Sequence, residues 1–175
     1  SGQYGGRSMQ AVDQACSRRG ASNIDHLLER LRQGAHEGYH YCLLLDLKDA
    51  FGLLPRKAAM AMLAKVRVDG RKLSRGARNL IWAWARINAV DARRRSKLCR
   101  RKGRGVEQGH QLSAILLNLV LAPVLLAVEK ALDVRAYSYL DDIYIQAKSK
   151  SEAADAYNVF AAQAVRAGFT DRRRL

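Results

Sequence analysis

Two stretches of strand-like sequence are each interrupted by carboxylates. The apolar run Tyr41-Cys42-Leu43-Leu44-Leu45 stops at Asp46, and the stretch from Tyr137 to Ile145 is broken by Asp141-Asp142. The first predicts a strand over residues 39–47, with a nearly continuous apolar run that suits the centre of a sheet. The second predicts strand, Asp-Asp turn, strand. Short helices are expected over 9–18 and 23–33, parted by Gly20 and a Ser-Asn start signal. Pro55 suits the first position of a helix running to about residue 66. Ser74 opens another, through about residue 89, in which Leu80, Trp84 and Ile87 recur at helical spacing with Ile81 beside them. That stripe reads as core. A long helix follows over 111–132, kinked near Pro123, and a last one starts at Ser149 or Ser151 and ends at Gly168.

This order, with no internal repeat and no linker, gives an α+β fold: an antiparallel split-βαβ (ferredoxin-like) sheet backed by helices. The apolar stretch 112–128 raises the question of a membrane span. It falls just short of the usual length and carries Ser113, Asn118 and Pro123, so a buried core helix is expected and no membrane partner.

Composition changes the picture by its charge. The 175 residues are 49% hydrophobic, enough for a real core, yet carry a formal net charge of +15. A polyanionic partner follows, nucleic acid before a membrane surface. The charge is also clustered. Residues 90–105 hold eight cations, Arg93, Arg94, Arg95, Lys97, Arg100, Arg101, Lys102 and Arg104, with only Leu98 and Cys99 clearly apolar after Arg93. An exposed hairpin or extended loop that meets phosphates is expected, the plain alternative being a solvated surface loop. Cys16, Cys42 and Cys99 fit neither a zinc site nor a disulfide framework, so an intracellular, reducing compartment (cytoplasm, nucleus or nucleoid) is expected. Cys42 reads as a small buried residue.

Buried carboxylates need a partner or a metal. Joining a nucleotide to a growing strand is an in-line displacement at phosphorus. Two Mg2+ ions about 4 Å apart can activate the attacking oxygen and stabilise the leaving pyrophosphate. Magnesium takes one or two carboxylates plus substrate oxygens, so it needs a few carboxylates on rigid, adjacent elements. Asp46 and Asp141 supply them if their strands pair. Each also has an ordinary reading: Asp46 as a cap for the next turn, Asp141-Asp142 as hairpin-tip chemistry.

The motifs surrounding these acids resemble those of reverse transcriptases. Residues 44–55, LLDLKDAFGLLP, are similar to the family's motif A; residues 105–118, GVEQGHQLSAILLN, to motif B; Tyr139-Leu140-Asp141-Asp142 to the Tyr-X-Asp-Asp box of motif C. Gly168-Phe169-Thr170 followed by Arg172, Arg173 and Arg174 resembles motif D, and Gln3-Tyr4-Gly5-Gly6-Arg7-Ser8 the fingers segment before motif A. Five blocks in the family's order cover nearly the whole chain. The resemblance implies a partial fingers segment over 1–38 and a polymerase palm over 39–175.

It also implies roles. Asp46 and Asp141 would hold two Mg2+ ions (Mn2+ as a substitute), with Asp142 assisting and the Leu47 carbonyl as a backbone ligand. Lys48, Asp49 and Ala50 would lie along the triphosphate, chiefly through backbone amides. Phe51 matches the steric gate that rejects a ribose 2′-hydroxyl; its alternative is a core aromatic. Gln108 and Gly109 would line the nucleotide and template pocket. Arg7, Arg93, Arg94, Arg95, Arg101 and Lys102 would serve the template, Ser113 would position the template or support the site, and Arg172 and Arg173 would serve the triphosphate. Asn118 suits helix packing as well as function. The partners implied are an RNA template, a DNA or RNA primer and dNTPs.

The chain departs from the family pattern in several places. Glu107 stands where proline usually precedes Gln-Gly, and Leu112-Ser113-Ala114 replaces Leu-Ser-Pro. Motif D offers arginines where a lysine is usual, and arginine is a poor general acid. No fingers hairpin precedes motif A and no thumb follows motif D, so a fragment of a longer chain is expected. The form of motif B is closer to non-LTR retroelement and group II intron enzymes than to retroviral ones. The leading expectation is an RNA-directed DNA polymerase. The alternatives are a relative that performs DNA-templated or untemplated DNA synthesis, and a palm-fold nucleic-acid-binding module inactive by itself.

Overall fold

The structure, a computed structural model, describes residues 23–86 and 104–169. The expected helix over 9–18, the Gly-rich opening, most of the basic stretch 90–105 and the motif D arginines lie outside the described residues.

Helix α1 (Asn23–His36) has Asp25 in its first turn and His36 in its last, each complementing the helix dipole. Its buried stripe passes through Leu27 and Gly34. Gly38, at φ 95°, turns the chain into β1 (Tyr41–Asp46). The short α2 (Ala50–Leu53) and α3 (Arg56–Leu63) follow, with Pro55 as the N-cap of α3, one position before the expected one. Helix α3 ends about one turn short of the expected residue 66, and a hairpin that was not expected follows, β2 (Arg67–Val68) and β3 (Arg71–Lys72). Its turn is Asp69-Gly70, at φ 49° and 76°, the positive values that two-residue hairpins of type I′ require.

Helix α4 (Arg75–Trp84) starts as expected at Ser74, whose hydroxyl accepts from Ala77 N–H, and closes at Ala85. The expected core stripe is corrected: Leu80 and Trp84 are 68% and 57% exposed, whereas Trp82 and Ala85 are buried. Trp82 lies two residues from Trp84, about 200° round the helix, and that face packs inward. Helix α5 (Gln111–Ala131) runs unbroken across Pro123. It is long and apolar enough to cross a membrane by length and composition. Nine of its residues between Ser113 and Val128 are nonetheless buried in the described fold, as a core helix requires. Strands β4 (Arg135–Tyr139) and β5 (Asp142–Ala147) lead to α6 (Lys150–Ala167). A reciprocal capping box of Ser149 and Glu152 opens α6, and Gly168 at φ 98° closes it.

The sheet is antiparallel in the order β1-β5-β4, so the α+β expectation holds. Strand β1 is not central: among the described residues it has one neighbour, and β5 lies in the middle. Its apolar run served to predict burial on both faces, but only one is packed. Ile143, Ile145, Ala147 and Ala136 are buried on the helical side, with α5 and α6, where Phe160, Leu116, Leu117 and Leu121 complete the core. Leu44 is 59% exposed on the other face, and Cys42, expected to be buried, is exposed there too.

One end of this open face is closed by α1. Gln146 is buried there, its amide donating to the Leu31 carbonyl at 2.9 Å. Beside it, Tyr39 donates to Asp133 at 2.7 Å and Lys148 meets the same carboxylate at 2.6 Å. The Lys148 ammonium, then the Tyr39 hydroxyl, hold the Asp133 carboxyl below its ordinary range, and Asp133 in turn raises Lys148 and Tyr39. The other end, at the β4–β5 turn, is the one that carries the acids.

Candidate active site at the tip of the sheet

Tyr139 pairs with Asp142 across β4 and β5, so Leu140 and Asp141 alone make the connection. Leu140 sits at φ 56°, left-handed backbone that costs a residue with a Cβ about 1–2 kcal/mol. Beyond the turn, Asp142 stands directly opposite Asp46 in the β1–β5 ladder. Directly opposed residues share a face, with Cα atoms about 4.5–5.5 Å apart. One further hydrogen bond extends the pairing: Leu47 N–H donates to the Asp141 carbonyl at 3.3 Å. The ends of β1 and of the hairpin are therefore locked together. Asp46 is exposed, and Asp141 and Asp142 are half-buried.

Three acidic residues thus lie at one tip, two of them paired across strands where like charge is unfavourable. Burial first, and the Asp142 charge second, raise the phenol of Tyr144 two residues along β5. Among the described residues no group of three or more His, Cys, Asp or Glu forms a ready metal cage. Opposed aspartates open to solvent are instead hard oxygen donors of the number Mg2+ takes from protein when substrate and water complete its shell. The residues fit that ion. The Leu47 carbonyl already accepts from Ala50 N–H at 2.9 Å, which leaves it one lone pair.

Motif A and motif B are tied by backbone. Val106 N–H donates to the Phe51 carbonyl and Gly105 N–H to the Leu54 carbonyl, both at 2.9 Å, and Arg104 bridges Pro55. Glu107 N–H then donates to the Ala85 carbonyl at 2.9 Å. The Gln108-Gly109 turn that follows is exposed; Gly109 sits at φ 86°, and a Cβ there would meet nothing within 4 Å. His110 caps α5, its Nδ1 accepting from Leu112 N–H at 3.2 Å. Lys48 and Asp49 are exposed beside the tip, with Asp49 in left-handed backbone at φ 56°. Ala50 and Phe51 are buried at 2% and 7%, so Phe51 is packed as a core aromatic whatever else it does.

Of the two roles expected for Ser113, its burial favours support over template contact: it is fully buried, and its hydroxyl donates to the Ala85 carbonyl at 3.3 Å beside the turn. Asn118 Oδ1 and Glu107 Oε1 are buried with no partner among the described residues. Arg7, Arg93, Arg94, Arg95, Arg101, Lys102, Arg172 and Arg173 lie outside the described residues. A contact that motif reading did not anticipate joins motif D to motif A: Gly168 lies against Pro55.

A comparison with curated proteins finds no match. The family model described as reverse transcriptase (RNA-dependent DNA polymerase) matches residues 3–170. With that match spanning almost the whole sequence and the acids of its motifs gathered at one sheet tip, the chain belongs to the reverse transcriptase family.

Proposed function

We propose that this chain carries the catalytic centre of an RNA-directed DNA polymerase that extends a primer 3′-hydroxyl with deoxynucleotides. The observation that supports it most is the pairing of Asp46 with Asp142, with Asp141 held beside them by Leu47 N–H. Asp46 and Asp141 would hold the divalent metal, with Asp142 assisting and the Leu47 carbonyl as a backbone ligand. When bound, two Mg2+ ions lower the barrier to in-line attack and neutralise charge on the leaving pyrophosphate. The amides of Lys48 and Asp49 lie along the triphosphate, Ala50 shapes that turn by giving its N–H to the Leu47 carbonyl, and exposed Lys48 adds a cation. Gln108 and Gly109 line the nucleotide, where the missing Cβ lets substrate approach the backbone. Phe51 limits space at the sugar, its ring fixed by core packing. Arg172 and Arg173 stabilise the triphosphate as fixed charges.

The test is primer extension on an RNA template with labelled dNTP or NTP, with Mg2+ and then with EDTA. Metal-dependent dNTP incorporation is expected, abolished by Asp141→Asn while RNA binding persists. Unchanged extension in that variant would overturn the assignment. In the same assay Phe51→Val is expected to raise NTP use relative to dNTP.

A further inference from the structure

Between residues 56 and 86 the chain carries nine cationic side chains and a single acid, Asp69. This surface belongs to none of the motifs. It is built from α3, the β2–β3 hairpin and α4, and Arg67, Arg71, Lys72 and Arg75 are all exposed. Arg56 donates to the Asn79 side chain at 3.2 Å, Arg67 to the Gly70 carbonyl at 3.2 Å and Arg78 to the Ser74 carbonyl at 3.3 Å, uncharged acceptors that leave the positive charge in place. Like charge concentrated on the exposed Arg67, Arg71, Lys72 and Arg75 is costly until an anion neutralises it.

At the C-terminal end of α4 the surface carries an aromatic group. Trp84 is 57% exposed, and its ring meets that of His110 edge-on, centroids 6.1 Å apart at 64°. His110 directly follows the Gln108-Gly109 turn, and Ala85 next to Trp84 accepts the Glu107 N–H. The aromatic pair therefore lies where the basic surface meets the candidate nucleotide site. An exposed indole offers a π-face to an unstacked base, and flanking cations track its phosphates.

We propose that the β2–β3 hairpin and α4 form a binding surface for single-stranded nucleic acid, with phosphates on Arg67 and Lys72, which stand opposite each other on one face of the hairpin, and on Arg75, and a base stacked on Trp84 beside His110. An unpaired strand is chosen over a duplex because bases within a helix keep their faces covered. Nucleic acid is chosen over a membrane because the surface is continuous with the turn that serves the nucleotide. The proposal deepens the polymerase reading by naming where an incoming strand is held. Its test measures binding alone, so the two fail separately.

The chain has two tryptophans, and Trp82 is buried. Titration of the full chain with oligouridylate is expected to quench tryptophan emission in the wild type and not in Trp84→Phe, which still binds. By anisotropy of labelled oligouridylate, Trp84→Ala is expected to weaken binding roughly 5- to 100-fold, with Trp84→Phe restoring most of it. Arg67→Ala with Lys72→Ala is expected to reduce the slope of log affinity against log salt by about 1.4, at about 0.7 per phosphate contact on a single strand. Circular dichroism confirms that each variant folds. Unchanged affinity in Trp84→Ala, tighter binding to duplex than to oligouridylate, or equal quenching by phosphatidylserine vesicles would overturn the proposal.

Discussion

The hydroxyl of Ser113, in the first turn of α5, donates to the carbonyl of Ala85, just past the end of α4. The same carbonyl accepts the Glu107 N–H, so one acceptor fixes both approaches to the Gln108-Gly109 turn. Ser113→Ala is expected to lower stability by about 1 kcal/mol, the net worth of one buried hydrogen bond. Template affinity is expected to hold while the rate of extension falls. Equilibrium denaturation and anisotropy on the same preparation check this; a tenfold loss of template affinity with full stability would place Ser113 on the template instead.

The opposition of Asp46 and Asp142 is a cost of the fold that, under the proposed function, a bound metal ion would relieve. Asp46→Asn is expected to stabilise the metal-free protein by about 0.2–0.5 kcal/mol at low salt while abolishing extension. Thermal melts in EDTA and in Mg2+ provide the check. Mg2+ is expected to raise the melting temperature of the wild type and to leave the variant nearly unmoved.

Gly168 ends α6 at φ 98°, and a Cβ there would come within 3.0 Å of Pro55 Cγ. Gly168→Ala is expected to cost about 1–2 kcal/mol, from left-handed backbone and from contact with a rigid ring. A lower denaturation midpoint at unchanged denaturant dependence would be the signature. No loss would mean that the cap relaxes away from Pro55.

Asp133, Lys148 and Tyr39 give the far end of the sheet a defined pH response. The folded carboxyl of Asp133 titrates below its ordinary value of 3.8, so its contribution is complete above that pH and disappears as pH falls through the folded value. Lys148 titrates above its ordinary 10.5, so its contribution is complete below that pH and is lost as pH rises further. The stability difference between wild type and Asp133→Asn is expected to stay flat through neutral pH and to shrink at both extremes. A difference that changes between pH 5 and 8 would contradict the network.

Elements with local punctuation were the legible ones. Ser74, Ser149 and Gly168 mark helix ends by side-chain and backbone chemistry that acts within a few residues, and each stands where its type predicts. The β4–β5 hairpin was legible for the same reason, although its turn is Leu140-Asp141 and not the expected Asp141-Asp142, because Asp142 is already paired in β5. The edge position of β1 was not, because an apolar run records that a strand is buried but not on how many sides it has neighbours. The inward face of α4 was misread because Leu80, Ile81, Trp82 and Trp84 offer two apolar stripes, and only the packing of α4 against α3 chooses between them. The β2–β3 hairpin was hidden because its strands are basic; Asp69-Gly70 is its signal once polar strands are allowed. At the site, motif spacing placed the acids, whereas the burial of Ser113 depended on a carbonyl 28 residues away.

The two faces of the sheet make the register of β5 self-checking. Along this strand Ile143, Ile145 and Ala147 point to the helices, and Asp142 and Tyr144 to the other side. A slip of one residue would drive the Asp142 carboxylate toward the apolar contacts of α5 and α6 and turn the two isoleucines to water. The chain therefore cannot gain its core from a misaligned sheet. Any molecule that reaches the native packing density has, by the same event, brought Asp46 and Asp142 face to face, and assembly of the acidic tip needs no step of its own.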